Sequence, residues 1–143
     1  MFSKSIYSIF IICFLFCTTL FGQTKSKTET EINKLIDDAI DFWYNDQYDL
    51  SLQNAKKALD KSITINNDNL IAESYNVIGV NFDDLVMLDK ALFYYTQGLK
   101  YAQKTNNSVL KSKLNNNIAN IYFFEQKKYV LGLNYYRNAL QYF

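Results

Sequence analysis

Three stretches of the chain, 39–62, 79–102 and 119–143, repeat one another. Each opens on a small residue (Ala39, Gly79, Ala119), followed three positions later by an aromatic (Phe42, Phe82, Tyr122). A large residue then starts the second half (Tyr48, Leu88, Tyr129), with a small one three further on (Ser51, Ala91, Gly132). Four positions later comes a core-facing residue (Ala55, Tyr95, Tyr136), and a small residue before leucine closes each copy: Ala58, Gly98 and Ala139. The third copy carries one extra residue in its turn, between Tyr122 and Tyr129. The period is roughly 40 residues, a length at which one unit cannot bury its apolar face alone, so consecutive copies must stack on one another.

Inside each copy the apolar residues follow a helical period. Leu88, Ala91, Leu92, Tyr95, Leu99 and Ala102 are spaced by three and four, as are Leu52, Ala55, Leu59 and Ile63, and each set makes one stripe along a helix. The chain contains no Pro to break such helices. Asn-rich links, 66–69 and 105–108, supply side chains that stop one helix and cap the next. The pattern predicts an all-α fold of three helix pairs, with helices near 30–45, 48–64, 69–85, 88–104, 108–125 and 128–143. The repeat domain is expected over 32–143, with copies at 32–68, 69–107 and 108–143, after a polar segment at 24–31.

The small-aromatic alternation, with residues 75–82 reading as a first helix and 88–99 as a second, resembles the tetratricopeptide repeat. The resemblance covers about 32–143, nearly the whole chain beyond the first 23 residues, and implies a right-handed superhelical α-solenoid. In that solenoid the first helices line a concave groove for peptides. Two features depart from the family pattern: its usual period is 34, and the Pro that normally ends the second helix is replaced by the Asn-rich links. The longer period is similar to that of a bacterial branch found ahead of sensor kinases and DNA-binding regulators.

Positions 1–23 are a different text. Lys4 precedes an uncharged run, 6–21, and Gly22-Gln23 lead into a polar, lysine-bearing stretch. A charged start, an apolar run and a small residue at the exit describe a secretory signal peptide. The rival is a membrane anchor through 6–21, but a comfortable span takes about 20 residues. Export to a periplasmic or secreted location is the expectation, with membrane attachment only if the segment stays uncleaved. A lipoprotein is disfavoured, because Phe16 precedes Cys17 and Ile12 precedes Cys13.

Both Cys fall in that segment and the chain has no His, which excludes Cys-His and Ser-His-Asp catalysis and thiolate zinc sites from the remainder. Without Lys4, 14 basic residues face 14 acidic ones, and Arg137 is the only arginine, so no nucleic-acid partner is expected. No phosphate loop, dinucleotide fingerprint or calcium-loop spacing occurs. Asp37 and Asp41 share a helix face, but no third ligand, nucleophile or oxyanion donor accompanies them, so neither enzyme activity nor a metal or cofactor is expected.

Two groups of residues are candidate partner contacts. Asn76 on the second copy, with Lys113, Asn116, Asn117 and Asn120 on the third, can present donors and acceptors to an extended peptide. The chain has 16 Asn, so ordinary solvated faces compete with that reading. Asp83 and Asp84 form an acidic pair whose counterparts are the aromatic pairs Trp43-Tyr44 and Phe123-Phe124, a combination able to hold a basic segment. Packing of the turns is the competing account.

Val130, Leu133, Tyr136, Leu140 and Phe143 form an apolar strip on the last helix, expected either to self-associate or to belong to a longer protein. The functional expectation is a non-enzymatic protein–protein interaction module. The alternative is the sensory front of a membrane signalling protein, a sensor kinase or a transcriptional regulator.

Overall fold

The computed structural model describes residues 26–142, so the signal-peptide reading, the start of the polar segment and Phe143 lie outside the described residues. The chain groups into two units, Met1–Glu31 and Ile32–Phe143, and the second holds the site. The described residues are all-helical, without a strand. Helix α1 is described over 26–44, followed by α2 (Tyr48–Thr64), α3 (Asp68–Asp84), α4 (Leu88–Ala102) and α5 (Ser108–Asn120). A π-helical turn, Ile121–Glu125, continues α5, and α6 spans Tyr129–Leu140. In the second unit neighbours in sequence pack on one another, α2 on α3, α3 on α4, α4 on α5 and α5 on α6, while α3 also touches α5.

The repeat has a backbone signature. The turns inside the three helix pairs each contain one non-glycine residue in the left-handed region: Asp46 at φ 57°, Val86 at 58° and Lys127 at 53°. Their spacing is that of Ser51, Ala91 and Gly132, so backbone and side-chain pattern share one period. The first two turns close identically, Gln47 N–H on the Phe42 carbonyl at 2.9 Å and Met87 N–H on the Phe82 carbonyl at 2.8 Å. The third closes one residue wider, Lys128 N–H on the Tyr122 carbonyl at 2.7 Å. The additional residue expected in that turn is taken up by the π turn, a single turn of the kind in which this rare helix mostly occurs.

Close approach of the helices explains the small residues. Ala39, Ser51, Ala58, Ala91 and Ala119 are completely buried, and Gly79, Gly132 and Ala139 are also buried. A Cβ on Gly79 would sit 2.5 Å from the Tyr95 ring, and one on Gly132 would sit 2.7 Å from Phe123 Cβ. Between them run larger core side chains, among them Ile32, Ile78, Leu114, Ile118 and Tyr95.

One polar chain crosses this core. Asn81 Nδ2 donates to Ser51 Oγ at 2.8 Å and to the Val77 carbonyl, and Ser51 Oγ donates to the Ala39 carbonyl at 2.7 Å. It ties α3 to α2 and α2 to α1, and Asn81, Ser51 and Ala39 are all fully buried.

The links do as Asn-rich links should. Asn67 Oδ1 accepts from the N–H groups of Asn69 and Leu70, both at 3.1 Å, capping α3. Asn107 Oδ1 accepts from Leu110 N–H at 2.9 Å, capping α5. The Asn107 amide also donates to Asn69 Oδ1 at 2.8 Å, joining the two links.

Candidate functional site

Three first helices, α1, α3 and α5, line one cleft of about 200 Å³ in the second unit. Its apolar floor is Ile36 and Ile40 from α1, Val77 from α3 and Leu110 from α5. Asp37, Glu73, Asn76 and Lys113 supply its polar rim. The rim is charge-polarised, with two carboxylates toward α1 and α3 and one ammonium on α5.

Glu73 is the half-buried member. Burial pushes its carboxyl above the ordinary value; a bond with Asn69 and the Lys113 charge pull it back, and Asp37 pushes it up again. A carboxylate held in that state gains from a cation or donor that enters the cleft.

Of the sequence candidates, Asn76 and Lys113 line this cleft. Asn117 does not offer its amide freely: its Nδ2 donates to Asn76 Oδ1 at 3.1 Å, bracing α5 against α3. Asn120 accepts from the Tyr136 hydroxyl at 2.6 Å, a contact between α5 and α6. Asn116 faces a second depression, of about 360 Å³, formed by Val109, Ser112 and Lys113 of α5 with Tyr136, Ala139 and Leu140 of α6. Lys113 borders both depressions, so the expected Asn–Lys row divides between two places and partly satisfies itself.

The acidic pair is held by aromatic groups of its own fold. The Trp43 indole N–H donates to Asp84 Oδ2 at 2.6 Å, which links the first helix pair to the second. The Tyr95 hydroxyl donates to Asp83 Oδ2 at 3.2 Å. Burial raises the Asp83 carboxyl, the Tyr95 bond lowers it, and the charges of Asp84 and Glu125 raise it further. The Tyr44 ring lies beside Trp43, tilted by 49° with centroids 4.5 Å apart, and stays exposed. Phe123 meets Phe124, Tyr129 and Tyr136 at 5.0, 5.1 and 5.9 Å, so Phe123 packs the third turn against α6 while Phe124 stays exposed.

The sequence alone does not single out Glu73, Ile36, Ile40, Val77 and Leu110, because the cleft exists only once three helices are side by side. Glu73 and Lys113 stand in the same register of successive copies, as Gly79 and Ala119 do, and that alignment was the available signal. No group of three or more Cys, Asp or Glu close enough to hold a metal ion occurs among the described residues. None of their helices is long and apolar enough to cross a membrane. Comparison with protein-family models, characterised proteins and solved structures returns no significant match.

Proposed function

We propose that the chain is a non-enzymatic interaction module of tetratricopeptide-like, solenoid type, holding a segment of a partner protein in the cleft of α1, α3 and α5. The observation that carries this reading is the cleft itself: an apolar floor from three successive first helices, rimmed by Asp37, Glu73, Asn76 and Lys113. An extended peptide suits it, with apolar side chains on the floor, backbone amides at Asn76 and a basic side chain toward Asp37 and Glu73. The internal Asn76–Asn117 bond suits this use, because Asn117 engages Asn76 Oδ1 and so orients the Asn76 amide, whose Nδ2 can donate to a peptide carbonyl, before a ligand arrives.

Peptides selected from a displayed random library on the full chain provide the test. Asp37→Arg and Lys113→Glu change exposed rim charges and leave the core untouched. Selected peptides should lose tenfold or more in affinity to Asp37→Arg, and those with an acidic end should lose the same to Lys113→Glu. A set of binders indifferent to both variants would refute the cleft as the binding place.

We also infer export of the module by its N-terminal segment. Fractionation of the host should show a soluble exported species a couple of kDa smaller than the 16.8 kDa precursor. A species of full or greater mass in the membrane fraction would count for the anchored or signalling reading instead.

A further inference from the structure

The turns inside the three helix pairs stand in a row at one end of the second unit. The Trp43 indole of the first turn bonds Asp84 of the second, and the charge of Glu125 on the third reaches Asp83 of the second. Between successive turns lie two depressions. Residues 46–50 with Leu85 form one of about 320 Å³, and residues 86–90 with Gln126 form one of about 420 Å³. They are a single feature repeated. Each is built from a left-handed residue and the start of the second helix that follows it, Asp46 with α2 and Val86 with α4. Each is walled by the residue just before the left-handed position of the next turn, Leu85 before Val86 and Gln126 before Lys127. Both walls of each depression come from consecutive copies of the repeat, and the lining includes exposed apolar side chains: Leu50 and Leu85 in the first, Val86 and Met87 in the second.

Charge chooses the occupant. Asp46 and Asp49 line the first depression and Asp89 lines the second. The bond to Asp46, then burial and the charges of Asp46 and Asp84, raise the Tyr48 hydroxyl above its ordinary value, so the field of Asp84 reaches the first depression as well. None of these four carboxylates forms an ion pair among the described residues. The lining holds one cation, Lys90, whose ammonium lies 5.2 Å from the centre of the Phe82 ring. Lys127 and Lys128 belong to the third turn and line neither depression. Such a surface attracts a basic ligand and repels an acidic one. Gln126 adds a hydrogen-bonding demand, because its Oε1 is buried without a donor. An extended segment carries free backbone N–H groups to meet it, whereas a helix spends its own internally.

We propose that the row of turns is a second docking surface, taking a basic, extended segment of a partner protein whose apolar side chains seat in the two depressions. It shares no lining residue with the α1–α3–α5 cleft.

The probe is a fluorescent, end-blocked peptide with two Lys-Leu-Lys-Leu motifs. One helix separates the second helices of successive copies, a distance of roughly 10–20 Å that a linker of about eight Gly/Ser residues spans. Anisotropy against the full chain should show at least tenfold tighter binding than for the peptide with one motif, because the second seat is engaged intramolecularly. Asp49→Lys or Asp89→Lys alone should reduce the two-motif peptide to the affinity of the single motif, and the pair together should abolish binding. Val86→Asn should weaken it threefold or more with no loss of melting temperature. Asp37→Arg, in the other cleft, should leave it unaltered. Equal affinity of the one- and two-motif peptides would overturn the proposal, as would equal binding of a version with Ser in place of Leu, which would reduce the attraction to charge alone. So would loss of binding to Asp37→Arg with indifference to both lysine variants, or a dimer in sedimentation that Asp49→Lys dissolves, since a second copy would then occupy the row.

Discussion

Val86 holds the least comfortable backbone among the described residues. A β-branched side chain rarely adopts positive φ, and a left-handed residue costs roughly 1–2 kcal/mol unless it is Gly or Asn. The turn demands the conformation, since Asp46 and Lys127 share it at the matching places. The valine gives little in exchange, being 74% exposed. Val86→Asn should therefore stabilise the protein by about 1 kcal/mol, raising the melting temperature by roughly 4 °C, where the ranges for smaller and larger domains meet. Val86→Ile, which keeps the strain, should gain nothing.

Gly79 presents the opposite balance. Alanine in mid-helix is favoured over glycine by up to about 1 kcal/mol. Its Cβ would nevertheless press into the ring of Tyr95, which is 1% exposed and tethered to Asp83, and overpacking costs about 1–3 kcal/mol. Overpacking should win, with Gly79→Ala destabilising by about 1–2 kcal/mol in denaturant titration. The loss should be smaller in a Tyr95→Leu background, where the ring is gone. Alanine is accommodated at the matching place in the third copy, where Tyr136 is less buried and turns its hydroxyl to Asn120.

At the level of the helices, the Asn-rich links are where local chemistry decides the boundaries. Asn67→Ala removes the acceptor for two N–H groups at the start of α3 and should cost about 1 kcal/mol, near the middle of the range for such caps. Asn67→Asp keeps an acceptor there and should cost less, which separates capping from mere side-chain loss in the same melts. Because capping and periodicity are local, much of this layer was legible in the sequence: α2 runs over the 48–64 expected for it, and α3 and α4 begin within one residue of their expected places. The π turn was not legible, since one extra residue between Tyr122 and Tyr129 says only that the turn is longer. Its placement at Ile121–Glu125 depends on where α6 must pack, and Gly132 against Phe123 sets that. The asparagines show the same division. Asn67 and Asn107 act on their own helix starts and could be read locally, whereas Asn81 in the core and the Asn76–Asn117 bond depend on neighbours from other helices, distant in sequence.

For the molecule as a whole, the half-buried acids make stability depend on pH in a particular direction. Glu73 and Asp83 both have carboxyls raised on folding, chiefly by burial. The folded state therefore holds their protons more tightly than the unfolded state does. Their contribution is fully present below the ordinary carboxyl range and is lost as pH rises through the folded values. Glu73→Gln keeps the size and removes the charge. The expected result is higher stability at pH 7 than in the parent, with the two converging as pH falls below the ordinary glutamate value. Urea unfolding at a series of pH values checks this, and a variant less stable than the parent at pH 7 would show that Lys113 and Asn69 outweigh burial. The same substitution tests why the charge is there. If the carboxylate is kept at a cost in stability in order to meet a basic side chain in the cleft, Glu73→Gln should fold better and bind basic peptides worse, a pairing of effects that a purely structural Glu73 would not produce.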